Sequence, residues 1–116
     1  MPAPRQRQGL AAESRAQALL ESHGLRAVAR NVRFRGGEID LVMADGEQCV
    51  FVEVRSRAHA RFGGALASVD APKRRRIALA AQLYLLQHYG RRAWPACRFD
   101  VVAFEGDEAR WVRGAF

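Results

Sequence analysis

Hydrophobic and polar positions alternate with period two on both sides of Asp45-Gly46, and that stretch organises the chain. Residues 36–57 read as a β-hairpin closed by a two-residue turn, because Asp-Gly favours tight hairpin loops. With Asp45-Gly46 as the loop, Ala44 faces Glu47, Val42 faces Cys49, Asp40 faces Phe51 and Glu38 faces Glu53. Residues opposite one another share a face, since side chains alternate along a strand. One face then holds Ile39, Leu41, Met43, Val50, Val52 and Val54, a core surface with Gln48 at the turn. The other is apolar near the turn (Val42, Cys49, Phe51) and acidic away from it (Glu38, Asp40, Glu53), with Arg55 one step on. A loop one residue longer would separate Asp40 and Glu53 onto opposite faces.

The pattern elsewhere predicts two helices and further strands. Ala12, Ala16, Leu19, Leu20 and His23 recur at helical spacing from Gly9 to His23, and Gly24 suits the position just past the helix. Glu13 lies at the edge of that stripe, either a solvated flank residue or one aimed into a site shared with the sheet. Leu25–Arg35 reads as a strand with basic flanks, broken by Gly36-Gly37. Residues 58–65 read as a loop in which His59 and Arg61 can reach a ligand. Asp70 is an N-cap with Pro72 just inside a second helix that runs to Tyr89 and stops at Gly90. Its apolar positions, Ile77 to Leu86, predict heavy packing. Arg98–Glu105 is a strand with Phe99, Val101 and Ala103 on one face and Asp100, Val102 and Phe104 on the other. Asp100 on so apolar a strand is expected to pair with a buried Arg or cap a turn. Residues 109–112 form a short last strand. The order predicts an α/β layer, a central hairpin with a helix on each side.

Composition sharpens this. The 116 residues suit one domain, residues 9–116, behind a flexible basic arm at 1–8 in which Arg5 and Arg7 can touch phosphate. No apolar run reaches membrane-spanning length, and the N-terminus lacks the apolar stretch of a signal peptide, so a cytoplasmic protein without membrane contact is expected. Cys49 and Cys97 lack zinc-site spacing and read as reduced thiols on strands. The net charge of +7 points to a polyanionic partner, most simply nucleic acid. Of 19 basic residues 18 are Arg, leaving Lys73 as the single Lys, a position that keeps a titratable amine in an Arg-biased chain. Lys73-Arg74-Arg75-Arg76 fall in the first turns of the second helix, where cations oppose the macrodipole, so an anion-facing role is expected.

Three carboxylates on one face repel each other unless a cation holds them. Mg²⁺ is bound by one or two carboxylates plus substrate phosphates. The alternative is an ion-pair network in which Arg55 and nearby arginines neutralise the acids.

Several pieces together resemble the YraN-like proteins, relatives of archaeal Holliday-junction resolvases within the restriction-endonuclease-like superfamily. They are Gly9-Leu10-Ala11-Ala12-Glu13, Asn31, Gly37-Glu38-Ile39-Asp40-Leu41-Val42, Phe51-Val52-Glu53-Val54-Arg55-Ser56-Arg57, Phe62-Gly63, Lys73 and Arg98-Phe99-Asp100-Val101-Val102. The resemblance implies an αβββαβ core, a mixed central sheet flanked by helices on both faces. It implies a Mg²⁺ or Mn²⁺ site on Asp40 and Glu53, joined by Glu13, for hydrolysis of DNA phosphodiesters at branched or damaged sites. Arg55 stands where the superfamily's Glu-x-Lys has Lys, and guanidinium cannot act as a base. Arg55 can hold a phosphate bidentately, and Lys73 can supply the amine from the second helix. The remaining basic residues, Arg57, Arg61, Arg74, Arg75 and Arg76, would position the nucleic acid. Two adjacent cuts would require a homodimer. The second function class is a catalytically inactive nucleic-acid-binding or adaptor module on the same fold.

Overall fold

The computed structural model describes residues 4–57 and 64–116. In chain order these form α1 (Pro4–Ser22), β1 (Arg26–Phe34), β2 (Gly37–Asp45), β3 (Gln48–Arg57), α2 (Gly64–Ala67), α3 (Ala71–Tyr89), β4 (Cys97–Glu105) and β5 (Glu108–Val112). The five strands make one mixed sheet in sequence order, antiparallel throughout except for the parallel pair β3–β4. The α3 crossover permits that parallel pairing.

The two helices cover opposite faces. Ala12, Ala16 and Leu20 of α1 pack on Leu41, Met43, Val50, Val52, Val54, Val102 and Phe104. Ala80, Ala81, Tyr84 and Leu85 of α3 pack on Ile39, Val42 and Phe51. The faces expected for β3 and β4 are those observed. Among the described residues, no helix is long and apolar enough to cross a membrane.

The ends of α3 form as its sequence predicts. The Asp70 side chain accepts from the Lys73 N–H at 3.0 Å, Pro72 lies in the first turn, and the Gly90 N–H closes on the Leu86 carbonyl at 2.8 Å. The packing of α3 is narrower than its apolar content suggests, because Leu79 and Leu86 stay 43% and 55% exposed. Helix α1 begins at Pro4, ahead of Gly9, so part of the expected arm is helical. Proline is favoured in a first turn and one interior glycine is tolerated. Part of the segment expected as a loop after β3 is the short helix α2. His59, Arg61 and Phe62-Gly63 lie outside the described residues.

The central hairpin differs in register. Asp45 pairs with Gln48 and Val42 with Phe51, so the loop is Gly46-Glu47 rather than Asp45-Gly46. Gly46 has φ 59° and is the first central residue, the place that one of the two tight hairpin turns reserves for glycine. The shift is two residues. Apart from Ile39, the side chains keep their faces, but Asp40, one step past the last β2–β3 pair, comes level with Glu53 instead of Phe51, and Glu38 pairs with Arg33 of β1. Ile39 also departs from expectation: it packs against α3, whereas Leu41 packs on the α1 side. Strict alternation would put both on one side. The strand therefore turns at Asp40.

Gly37 fixes where β2 meets α3. A Cβ there would come 2.3 Å from the Arg76 carbonyl oxygen. Gly37→Ala is expected to cost about 1–3 kcal/mol, as overpacking generally does, readable as a lower urea midpoint with an unchanged slope.

Candidate functional site

The turn at Asp40 opens the hairpin. The β2–β3 pairing ends at Leu41–Val52, and beyond it the Val54 N–H of β3 donates to Asp40 Oδ2 at 2.8 Å. A side chain thus takes the place of a main-chain acceptor, and the two strands part around it. Glu53 lies beside this fork at 3% exposure. From the other layer α1 contributes Glu13, 7% exposed, so the edge position read from the helical stripe points into the sheet site.

Asp40 perturbs both glutamates. Burial, then the Asp40 charge, pushes Glu53 up to about 8, with Lys73 and Arg55 opposing. Burial and Asp40 push Glu13 up to about 7, opposed by the Asn31 amide and by Arg30. Glu13 Oε1 is buried without a hydrogen-bond partner, and its nearest cation is Arg30 Nη2 at 3.8 Å. An unpartnered buried carboxylate oxygen is costly.

Two cations flank Glu53. Lys73 Nζ lies 3.4 Å and Arg55 Nη1 3.6 Å from Glu53 Oε1. Lys73 arrives there because the Asp70 cap sets the first turn of α3 over the end of β3. Arg55 is held from its far side: its Nε donates to Ser68 Oγ at 2.8 Å, and that hydroxyl donates to the Ala65 carbonyl at 2.6 Å. Helix α2 therefore serves as the mount for Arg55.

The acids and both cations line one cleft of about 620 Å³, with Arg15 and Arg57 at its margin. Two smaller grooves adjoin it, one lined by Arg33, Lys73 and Arg76, the other by Asn31, Arg33, Glu13 and Asp40. Of the basic residues expected to touch nucleic acid, Arg57 and Arg76 therefore reach the cleft or its extension. Arg74 does not line it: its Nε donates to the Val69 carbonyl at 3.0 Å and its guanidinium lies over Phe116. Arg75 lines a separate apolar groove with Phe51 and Leu79. Consecutive helical positions point about 100° apart, so four cations in a row cannot share one target.

Two contributors were not legible as site residues. Asn31 is the one described non-glycine residue with positive φ, at 52°. Its neighbours in β1 pair with Leu41 and Ile39, which sets Asn31 across from Asp40. Asparagine tolerates this conformation better than most residues, and that tolerance was the available signal. Ser68 left no signal in the sequence.

Among the described residues, no three carboxylate, imidazole or thiol side chains meet closely enough to hold an ion by themselves. Asp40 and Glu53, with the orphaned Glu13 oxygen nearby, are the residues that could hold a hard cation, and only with further ligands from outside the protein.

Fold and site together define a mixed α/β protein with an acid cluster at a parted strand pair and a basic margin. The chain belongs to the uncharacterised protein family UPF0102, whose profile matches residues 12–104. It is 57% identical to a UPF0102 protein of Xanthomonas campestris pv. campestris over all of this chain and 96% of the relative. A UPF0102 protein of Halorhodospira halophila is 58% identical over 97% of this chain and 88% of the relative. One from Bordetella parapertussis is 56% identical over 97% of this chain and 66% of the relative.

Proposed function

We propose that this protein is a metal-dependent endonuclease on the restriction-endonuclease-like plan, similar to Holliday-junction resolvases, that hydrolyses DNA phosphodiesters at branched or damaged sites. The observation that carries the reading is the fork at Asp40. A strand pair parts to set two carboxylates level, a third comes from a helix, and an amine and a guanidinium flank them in a cleft with basic edges.

Asp40 and Glu53 would hold Mg²⁺ or Mn²⁺, with Glu13 beside them. When bound, such a cation supplies Lewis acidity to the phosphate and to the attacking water. The chain's own residues do the rest. Val54 N–H fixes the Asp40 carboxylate. Arg55, mounted on Ser68, binds a phosphate oxygen and stabilises charge developing there. It keeps its proton throughout. Lys73, the one lysine of the chain, holds Glu53 and presents its ammonium to the cleft. Arg57 and Arg76 position the backbone, and affinity for DNA falls steeply with salt.

The ion pairs of Glu53 with Lys73 and Arg55 favour a second reading, an inactive nucleic-acid-binding module in which these cations merely neutralise the acids. Asp40→Ala separates the two. In a nuclease, cleavage of junction, flap or single-stranded DNA with Mn²⁺ drops at least about 100-fold, the upper end of what losing a mere supporting partner of a metal ligand costs, while DNA affinity measured without metal is kept. In a binding module the wild type cuts nothing under the same conditions, and the variant binds DNA equally or more tightly.

A further inference from the structure

Cys49, the second residue of β3, and Cys97, the first of β4, form a directly paired rung of the parallel strands. The Cys49 N–H donates to the Ala96 carbonyl at 2.8 Å, which ties the two backbones at this point. In-register residues on neighbouring strands lie about 4.7–4.9 Å apart, inside the Cα separation that a disulfide spans. Both side chains are on the α3 side of the sheet, packed against the cluster of Phe51, Tyr84 and Leu85. Both are free thiols and only partly buried. Each also opens to a surface cavity: Cys49 beside Gln48, Tyr84 and Pro95, Cys97 beside Phe51, Leu79 and Phe99. Nothing in the proposed cleft uses either residue.

We propose that Cys49 and Cys97 form a reversible modification site, a cross-strand dithiol that low-molecular-weight disulfides oxidise to an internal disulfide. The reaction runs in two exchanges. The Cys97 thiol loses its proton, and its sulfur attacks one sulfur of the reagent disulfide, expelling the other half as a thiolate that takes up a proton. The Cys49 thiol then loses its proton and attacks the Cys97 side of the mixed disulfide, expelling the second half as a thiol. Two protein thiols are oxidised, and one small disulfide is reduced to two thiols.

The order follows from the surroundings. Burial, then the charge and hydrogen bonding of Cys97, pushes the Cys49 thiol up to about 12. Burial raises Cys97 as well, but the hydrogen bond from Cys49 favours its thiolate. Cys97 is thus the first nucleophile and Cys49 the resolving thiol. Raised thiols react slowly near neutrality, so oxidation accelerates with pH.

The test uses the reduced full-length chain and oxidised glutathione at mildly alkaline pH. The expected product is a monomer lighter by the mass of two hydrogens, with residues 49 and 97 in one cross-linked peptide under non-reducing digestion. Its melting temperature should be higher than that of the reduced chain, and dithiothreitol should restore the original value. Cys49→Ala should stop at a glutathione adduct on Cys97. Glutathione on both cysteines of the wild type, or disulfides only between chains, overturns the proposal. The wild-type peptide map decides the matter even if a single variant folds poorly.

Discussion

Asp100→Ala is expected to destabilise the protein by about 3–5 kcal/mol, the scale for breaking a buried charge pair. Asp100 is fully buried and gathers three groups. Its carboxylate accepts from Arg98 Nε at 3.1 Å, Arg98 Nη2 at 3.2 Å, Trp111 Nε1 at 2.9 Å and the Gly114 N–H at 3.0 Å. Arg98 extends the network to Asp45 at 2.9 Å and Gln48 at 2.8 Å, so one carboxylate ties β4 to the hairpin turn, to β5 and to the C-terminal segment. Burial works against the Arg98 charge, but the hydrogen bonds it donates to Asp100 and Asp45 outweigh it and raise its pKa. Removing the acid leaves a mostly buried guanidinium, an indole N–H and a backbone amide without their acceptor. Urea unfolding should read the loss directly, and Asp100→Asn should recover part of it by keeping an acceptor.

Glu53→Gln is expected to do the reverse. It should raise the melting temperature of the metal-free protein at pH 9 by roughly 4 °C or more, and change it little at pH 5. The folded carboxyl titrates near 8, above its ordinary 4.5, because burial and Asp40 disfavour the charge. Below pH 4.5 the acid is protonated in both folded and unfolded chains and contributes nothing. Between 4.5 and 8 the unfolded chain ionises while the folded one resists, so stability falls as pH rises, and the full penalty is present above 8. Glu13 adds to the same trend up to about 7. The amide removes the Glu53 part. Lys73 and Arg55 lose a partner, but both are partly exposed and regain water. The same change should abolish any Mn²⁺-induced rise in melting temperature. Such a rise is expected in the wild type, because a ligand that binds only the folded state stabilises it.

Much of this was legible in the sequence because it rests on local rules. Asp70, Pro72 and Gly90 bracket α3 by capping chemistry alone, and the period-two pattern assigns most of the hairpin's side chains to their faces. The pairing of Asp100 with an arginine followed from the cost of burying a lone acid. Other features depend on what lies across space. Asp45-Gly46 and Gly46-Glu47 both make two-residue loops, and only packing against α1 and α3 chooses between them. That choice moved Asp40 from Phe51 to Glu53. The turn of β2 at Asp40, the left-handed Asn31 and the Ser68 mount for Arg55 are each set by a partner far away in sequence. Four consecutive cations looked like one surface, yet helical geometry sends Lys73 and Arg76 to the cleft and Arg75 to another side.

Whether the acid cluster takes up a cation is decided by calorimetry with Mn²⁺ in low salt, on the wild type and Asp40→Ala, with and without DNA. One specific site is expected in the wild type, strengthened by DNA because phosphate oxygens complete it, and none in the variant. Equal binding by both proteins, or no binding by the wild type even with DNA present, would contradict a cation site there.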